Sequence, residues 1–428
     1  MWQSEERMPA APSSSTSSDR GLAVFLHPDF RLFQAARFCI ILALEMQSVA
    51  VGWQIYATTK RALDLGLAGL AQFLPSMLLF LLSGHVADRF NRRNIIAICY
   101  AGFATCSALL FLLAWRHTQS VAPIYAVLVL LGVVRSFNGP VSRALLPQIV
   151  PAEHFPSAVA WASGVWQAAT ILGPAVGGVA YAAFHGPEAV YATGFFAALV
   201  AIAATLGIKA VLPAPRRESA TLRSFFAGIR YIWAEKLILG AISLDLFAVL
   251  LGGAVALLPV YAQEILRTGP WGLGLLRSAP AAGAAFTALW LAWRPLRRRT
   301  GTTMLWCVAG FGACTILFGI SRSIALSLLA LILAGATDMV SVVIRGTLIQ
   351  LATPDEMRGR VNAVDMIFIN ASNELGQFES GVTAQWFGAV PAVILGGIGT
   401  LFVTALWAWC FPDLRKADQL VAPEALPK

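Results

Sequence analysis

Glu45, Arg135, Asp245, Asp338, Asn373, Glu374 and Glu379 stand apart in this sequence because nearly everything around them is apolar. A carboxylate can take up and release a proton, a guanidinium can hold an anion, and an amide can read the polar groups of a solute. In apolar surroundings none of these groups is stable alone; each needs a partner or water. Glu45 in "ALEMQSVAVGWQIY" and Arg135 in "LGVVRSFNG" are expected to meet as an ion pair. Such a pair either titrates or only braces helices, and the residues leave both readings open. Glu374 in "NASNELGQFESG" is flanked by Asn370, Asn373 and Gln377. That polar stripe suits contact with protons, a cation or polar substrate groups, or else hydrogen bonding between helices.

The elements that must position these groups are membrane spans. The 428 residues are 58% hydrophobic and 12% charged, with mean hydropathy +0.71, far more apolar than the roughly 45–50% of soluble domains. The apolar residues fall into blocks of about 20, the length that crosses a hydrocarbon core as a helix. Twelve spans are expected, at 33–57, 65–87, 94–115, 122–146, 156–184, 188–211, 237–263, 271–293, 303–321, 324–350, 361–386 and 389–411. A cation near the middle of one costs at least roughly 2.5–3.5 kcal/mol, so Arg135 should face a polar interior. The predicted fold class is an all-α membrane protein of twelve transmembrane helices.

Most cations gather in alternate connections: Arg89, Arg92 and Arg93; Arg143; Arg216, Arg217, Arg223 and Arg230; Arg294 and Arg297 to Arg299; Arg358 and Arg360; Arg415 and Lys416. Positive residues mark the cytoplasmic side, so both termini are expected there; as a separate expectation, the membrane is a plasma membrane, specifically a bacterial inner membrane. Residues 1–30, Ser-rich and without an apolar core, read as a disordered tail rather than a cleaved signal peptide. Residues 212–236 separate six spans from six. Phe225, Phe226, Ile229, Ile232 and Trp233 recur there at helical spacing opposite Arg223, Arg230 and Lys236, as in an interfacial amphipathic helix, with a solvated linker as the alternative. The expected organisation is thus a bundle at 31–211, this linker, a second bundle at 237–412 and a tail at 413–428.

The two bundles resemble each other. "SRALLPQIVPAEHFPSAVA" from Ser142 lies over "IRGTLIQLATPDEMRGRVN" from Ile344, matching Arg143 with Arg345, Leu146 with Leu348, Gln148 with Gln350, Glu153 with Asp355 and Val159 with Val361. In the same register Gly186 meets Gly388 and Gly194 meets Gly396. A duplicated six-span unit predicts two pseudo-symmetric bundles with the substrate site between them.

Three motifs add a resemblance. "GHVADRFNRR", Gly84 to Arg93, resembles the G-x-x-x-D-R-x-G-R-R signature of the major facilitator superfamily, with Asn91 in place of a glycine; asparagine tolerates the left-handed backbone of a tight turn. The resemblance implies that Gly84, Asp88, Arg89, Arg92 and Arg93 form a cytoplasmic latch against the span beginning near Val361. A simple topology anchor would explain the arginines but not Gly84 and Asp88. Arg135 with Gly139 resembles the family's R-x-x-x-G motif, which is associated with proton transfer. "ATILGPAVGG" resembles the g-x-x-x-G-P-x-x-G-G motif of drug and proton antiporters, with Gly173, Pro174, Gly177 and Gly178 in place and Ala169 replacing the first glycine. Phrases such as "VGWQIY", "LLPVYAQEIL" and "TPDEMRGRVNAV" are similar to the transmembrane secretion effector branch, which includes enterobactin and macrolide exporters. In the second half "WRPLRRRTG" keeps the basic loop but has no aspartate, so a symmetrical latch is not expected.

Taken together, these features predict a secondary transporter that exports a small molecule in exchange for protons by alternating access. Proton-coupled import of a similar solute is the nearest alternative, and a membrane enzyme or a non-transporting receptor is more remote. Cys39, Cys99, Cys106, Cys307, Cys314 and Cys410 sit in apolar blocks without metal-ligand spacing, and no nucleotide-binding loop is present. The expected partners are the small-molecule substrate, protons and the bilayer. No metal, cofactor or nucleic acid is expected, and the chain is expected to be monomeric.

Overall fold

The computed structural model describes residues 22–209, 222–294 and 299–417, and among these nearly every residue is helical and none is in a strand. Spans 1 to 6 are Pro28–Thr59, the pair Ala62–Leu78 and Phe80–Arg89, Arg92–Trp115, Ala122–Ile149, Phe155–Ala183 and Glu188–Leu206. Spans 7 to 12 are Lys236–Ile265, Gly269–Trp293, Thr300–Ile320, Ile324–Ala352, Asp355–Phe387 and Ala389–Cys410. Among the described residues nine helices are long and apolar enough to cross a bilayer by themselves. The others are the split span 2, the Ala- and Gly-rich span 5, and span 11, which carries Asp365, Glu374 and Glu379.

Local chemistry accounts for the ends. Proline opens spans 1, 4, 5 and 8, where its missing N–H would have had no helical partner anyway. Span 2 breaks at Leu79, one turn after Pro75. Gly388 turns span 11 directly into span 12 at φ +89°, a region open to glycine. Asn91 does not take the left-handed conformation expected of it. Its φ is −62°, and its side chain accepts a hydrogen bond from Arg93 N, so it caps span 3 as asparagine commonly does. The left-handed residue lies instead in the matching loop of the other half, at Arg299 (φ 55°).

Packing repeats across the halves. Span 1 packs on spans 5 and 6, span 3 on 4 and 6, and span 2 on 4; likewise span 7 packs on 11 and 12, span 9 on 10 and 12, and span 8 on 10. The halves then meet through two equivalent contacts, span 5 with 8 and span 2 with 11. This is the two-bundle arrangement that the internal repeat predicts.

The start of the chain is more structured than a disordered 1–30 tail. Residues 1–21 lie outside the described residues, but Ala23–Leu26 form a helical turn and Val24 and Phe30 are fully buried. Of the linker, residues 222–234 form a helix, and 212–221 lie outside the described residues. Ile232 of this helix is buried with Ile238, Ile349, Val361 and Val364, the Tyr231 hydroxyl donates to Ala352 O, and Gly228 abuts Arg360. Its other face leaves Phe226 and Trp233 exposed.

Candidate functional site

Close contacts between the halves concentrate away from the side that carries the chain ends. A Cβ on Gly178 would lie 2.9 Å from Gly274 Cα, and one on Gly381 would lie 3.0 Å from Gly66 Cα, so both inter-half contacts close through glycine. Hydrogen bonds join the same region: Tyr56 to Glu264 Oε1 at 2.5 Å, Lys60 to Gln263 Oε1 at 2.8 Å, and Ser278 to Ile171 O at 2.6 Å. Toward the terminal side, Cβ positions on Gly84, Gly139, Gly164, Gly346 and Gly359 meet nothing within 4 Å. The crevice between the bundles is therefore closed on one side and opens toward the other.

At the blind end of this crevice lies a cavity lined from both halves, by Gln47, Ser48, Gln72 and Arg135 on one side and Arg277 and Gln377 on the other. Arg135 Nη1 donates to Gln72 Oε1 at 3.2 Å. Glu374 sits against Gly69, where a Cβ would come within 3.2 Å of its Oε2, and accepts from Gln377 Nε2 at 3.3 Å. Glu45 rests on Gly173, with Arg277 in its electrostatic reach. Arg277 is also in reach of Glu374 and Arg135, so two carboxylates and two guanidiniums from spans 1, 4, 8 and 11 share one region. Gln47 accepts from Ser107 Oγ at 2.9 Å, while its buried Nε2 has no partner among the described residues and remains as a donor. Such a site can hold a solute with both acidic and basic or hydroxyl groups, and can exchange protons on its carboxylates.

The expected Glu45–Arg135 ion pair does not form. Gly132 lets span 4 press on the span 2 backbone at Gln72, and Arg135, one turn on, is taken by the Gln72 amide. The cation facing Glu45 is Arg277, which the sequence reading passed over although it is a charge eight residues into an apolar span. Asn373 donates to Ile369 O of its own helix, and Glu379 accepts from Thr383 at 2.7 Å. Asp245 and Asp338 lie elsewhere, with Arg345 and Asp365: Arg345 pairs with Asp245, and its Nε stands 3.7 Å from Asp365 Oδ1.

The antiporter-type motif does two jobs. Gly173 and Gly177 take the span 1 backbone and side chains at Leu42, Glu45 and Met46, while Pro174 and Gly178 take span 8 at Gly274. In the loop motif, Arg92 donates to Ala144 O at 3.0 Å and Arg93 to Ile208 O at 2.7 Å. These cations brace the carbonyl ends of spans 4 and 6, where the helix dipole favours positive charge. The Asp88 side chain lies outside the described residues.

Comparison with known proteins agrees with this architecture. The family model described as transmembrane secretion effector matches residues 19–426. The chain is 27% identical over 401 residues to proteins named enterobactin exporter EntS from Shigella boydii serotype 18 and Escherichia coli O81, covering 92% of this chain and 94% of each relative. Among solved structures, a bacterial homolog of the human lysosomal transporter Spinster, in an inward-facing and occupied conformation, superposes with TM-score 0.71 at 13% identity, covering 93% of this chain and 99% of that one. A peptide transporter POT mutant gives 0.73 at 9% identity, covering 91% and 95%. These structures share the fold alone. The chain belongs to the transmembrane secretion effector family of major facilitator superfamily transporters.

Proposed function

We propose that this transporter exports a small molecule in exchange for protons, alternating between states open to either side. The observation that carries this reading is that Arg135 and Arg277 line one cavity between two repeated bundles, with Glu374 in electrostatic reach of both and Glu45 in reach of Arg277. Carboxylates there can be neutral when protonated or free to bind substrate when not, and such competition couples two fluxes in opposite directions. The direction of transport is inferred from the relatives named as exporters.

The arginine-rich connections support an orientation with both termini on the cytoplasmic side of the inner membrane. In that orientation the present structure is open to the cytoplasm, which is the state that loads an exported solute. The loop from Gly84 to Arg93 then serves as a latch that engages span 11 only when this side closes, consistent with the empty space at Gly84. The protein acts as a monomer, since each chain holds a complete central site.

Everted membrane vesicles test this reading, with enterobactin as the first probe because of the named relatives. An imposed acid-inside gradient is expected to drive accumulation, and Glu45→Gln or Glu374→Gln to reduce it at least tenfold. Accumulation independent of the gradient would sink proton antiport, and gradient-driven expulsion from the lumen would favour import. If enterobactin is not carried, metabolites retained by deletion cells supply the next probes.

A further inference from the structure

Arg345 lies deep in span 10, 2% exposed, and three carboxylates gather on it from three helices: Asp245 of span 7, Asp365 of span 11 and Asp338 two turns back on its own helix. The charges acting on this cluster among the described residues are its own members; span 8 packs there with Pro280 and Gly283, and span 9 with Gly310 against Thr337. Arg345 is paired with Asp245 and approached by Asp365, so Asp338 has no cation to itself. Three carboxylates around one guanidinium leave two negative charges uncompensated in an apolar bundle, a condition relieved by binding protons or a cation. The guanidinium among them disfavours a metal ion. Ser341 stands between Asp338 and Arg345 at helical spacing. Its hydroxyl is buried and has no hydrogen-bond partner among the described residues, and neither has Asp365 Oδ1.

The internal repeat sharpens the point. In the register that matches Arg345 with Arg143, the first half has Ser136 and Ser163 where the second has Asp338 and Asp365. Arg143 is exposed. The bundle fold therefore does not require these acids, and the second half carries them for another purpose.

We propose that the Arg345 cluster is a proton-binding site in the second half, with Asp338 as the group that takes and releases the proton, separate from the central cavity. Neither Asp338 nor Asp365 is fully buried, and Asp365 keeps 13% of its side chain exposed. Span 11 borders the central cavity through Gln377, and Cβ positions on Gly346 of span 10 and Gly359 of span 11 meet open space, which gives protons a route toward the cluster. This deepens the antiport reading and rests on it for its role in transport, while the binding itself is measurable alone.

The test is infrared difference spectroscopy of the purified full-length chain in liposomes between acid and alkaline pH. A carboxylic-acid C=O band is expected to vanish on alkalinisation, to be absent in Asp338→Asn, and to persist in the Glu45→Gln/Glu374→Gln variant. Sodium or potassium at constant pH should leave it unchanged. A second measurement needs no variant: 13C labelling of aspartate carboxyls should shift the band, and labelling of glutamate should not. A band that survives in Asp338→Asn, follows the glutamate label, or responds to sodium in place of pH would overturn the proposal. Loss of pH dependence in vesicle transport with the band intact would remove antiport alone; intact antiport without the band would remove this site alone.

Discussion

Arg143 and Arg345 occupy matching places in the two halves, each two turns or less from the end of its span, yet one is exposed and the other is buried among carboxylates. The same helix packing surrounds both. Duplication thus preserved the scaffold and let the charges diverge at this matched place, where the second half gathers acids around its arginine. The central region is balanced instead, with one carboxylate and one guanidinium from each half: Glu45 and Arg135, Glu374 and Arg277.

The largest expected contrast comes from removing the two arginines. Arg345→Ala leaves Asp245 buried without its partner and should destabilise the chain by about 3–5 kcal/mol, whereas Arg143→Ala at an exposed site should stay within about 0.5 kcal/mol. Thermal unfolding in detergent measures both, and equal losses would erase the distinction between the halves.

The two inter-half contacts should differ next. A Cβ on Gly178 would press on the backbone at Pro270 O (2.5 Å) and Gly274, while one on Gly66 would meet the backbone at Phe378 Cα (3.0 Å) and Gln377 O (3.1 Å), a tight approach but a smaller overlap. Overpacking of roughly 1–3 kcal/mol is expected for Gly178→Ala, and less for Gly66→Ala. Spin-label distances across spans 5 and 8 should report a wider closed side in the first variant.

A smaller effect tests the clasp between spans 1 and 7. Tyr56→Phe removes the hydrogen bond to Glu264 and should shift the balance toward opening on that side by about 1 kcal/mol, read as increased thiol labelling of a cysteine placed near Lys60. The smallest contrast concerns the matching loops. Asn91→Gly should lower stability by only a few tenths of a kcal/mol, because glycine is a fair N-cap. Arg299→Gly should raise it by up to about 1 kcal/mol, because the left-handed backbone suits glycine. Equal signs in calorimetry would contradict the difference seen between the two caps.

Much of the architecture was legible beforehand. The expected spans agree with the helices to within a few residues at most ends, and the repeat found between Ser142 and Ile344 reappears as matched packing. Span 11 is the main exception, starting at Asp355 rather than 361, because Asp355 and Glu356 favour a helix N-terminus although they are not apolar. The site was legible only in part: Glu45, Arg135 and Glu374 do line one region, but their partners were not foreseen. Arg277 and Asp365 were visible as charges in spans, and Arg345 as the repeat partner of Arg143.

The sequence by itself determined how many spans there are, where most of them end and about how deep each charge lies along its own span, because rise per residue and hydropathy are local properties. Only tertiary structure decided which charges meet. A helix can turn any face to its neighbours, and that choice depends on close approaches such as Gly132 against Gln72 and Gly173 against Glu45. Those approaches gave Arg135 to an amide, gave Glu45 the cation of another half, and drew Asp245 and Asp338 away to Arg345.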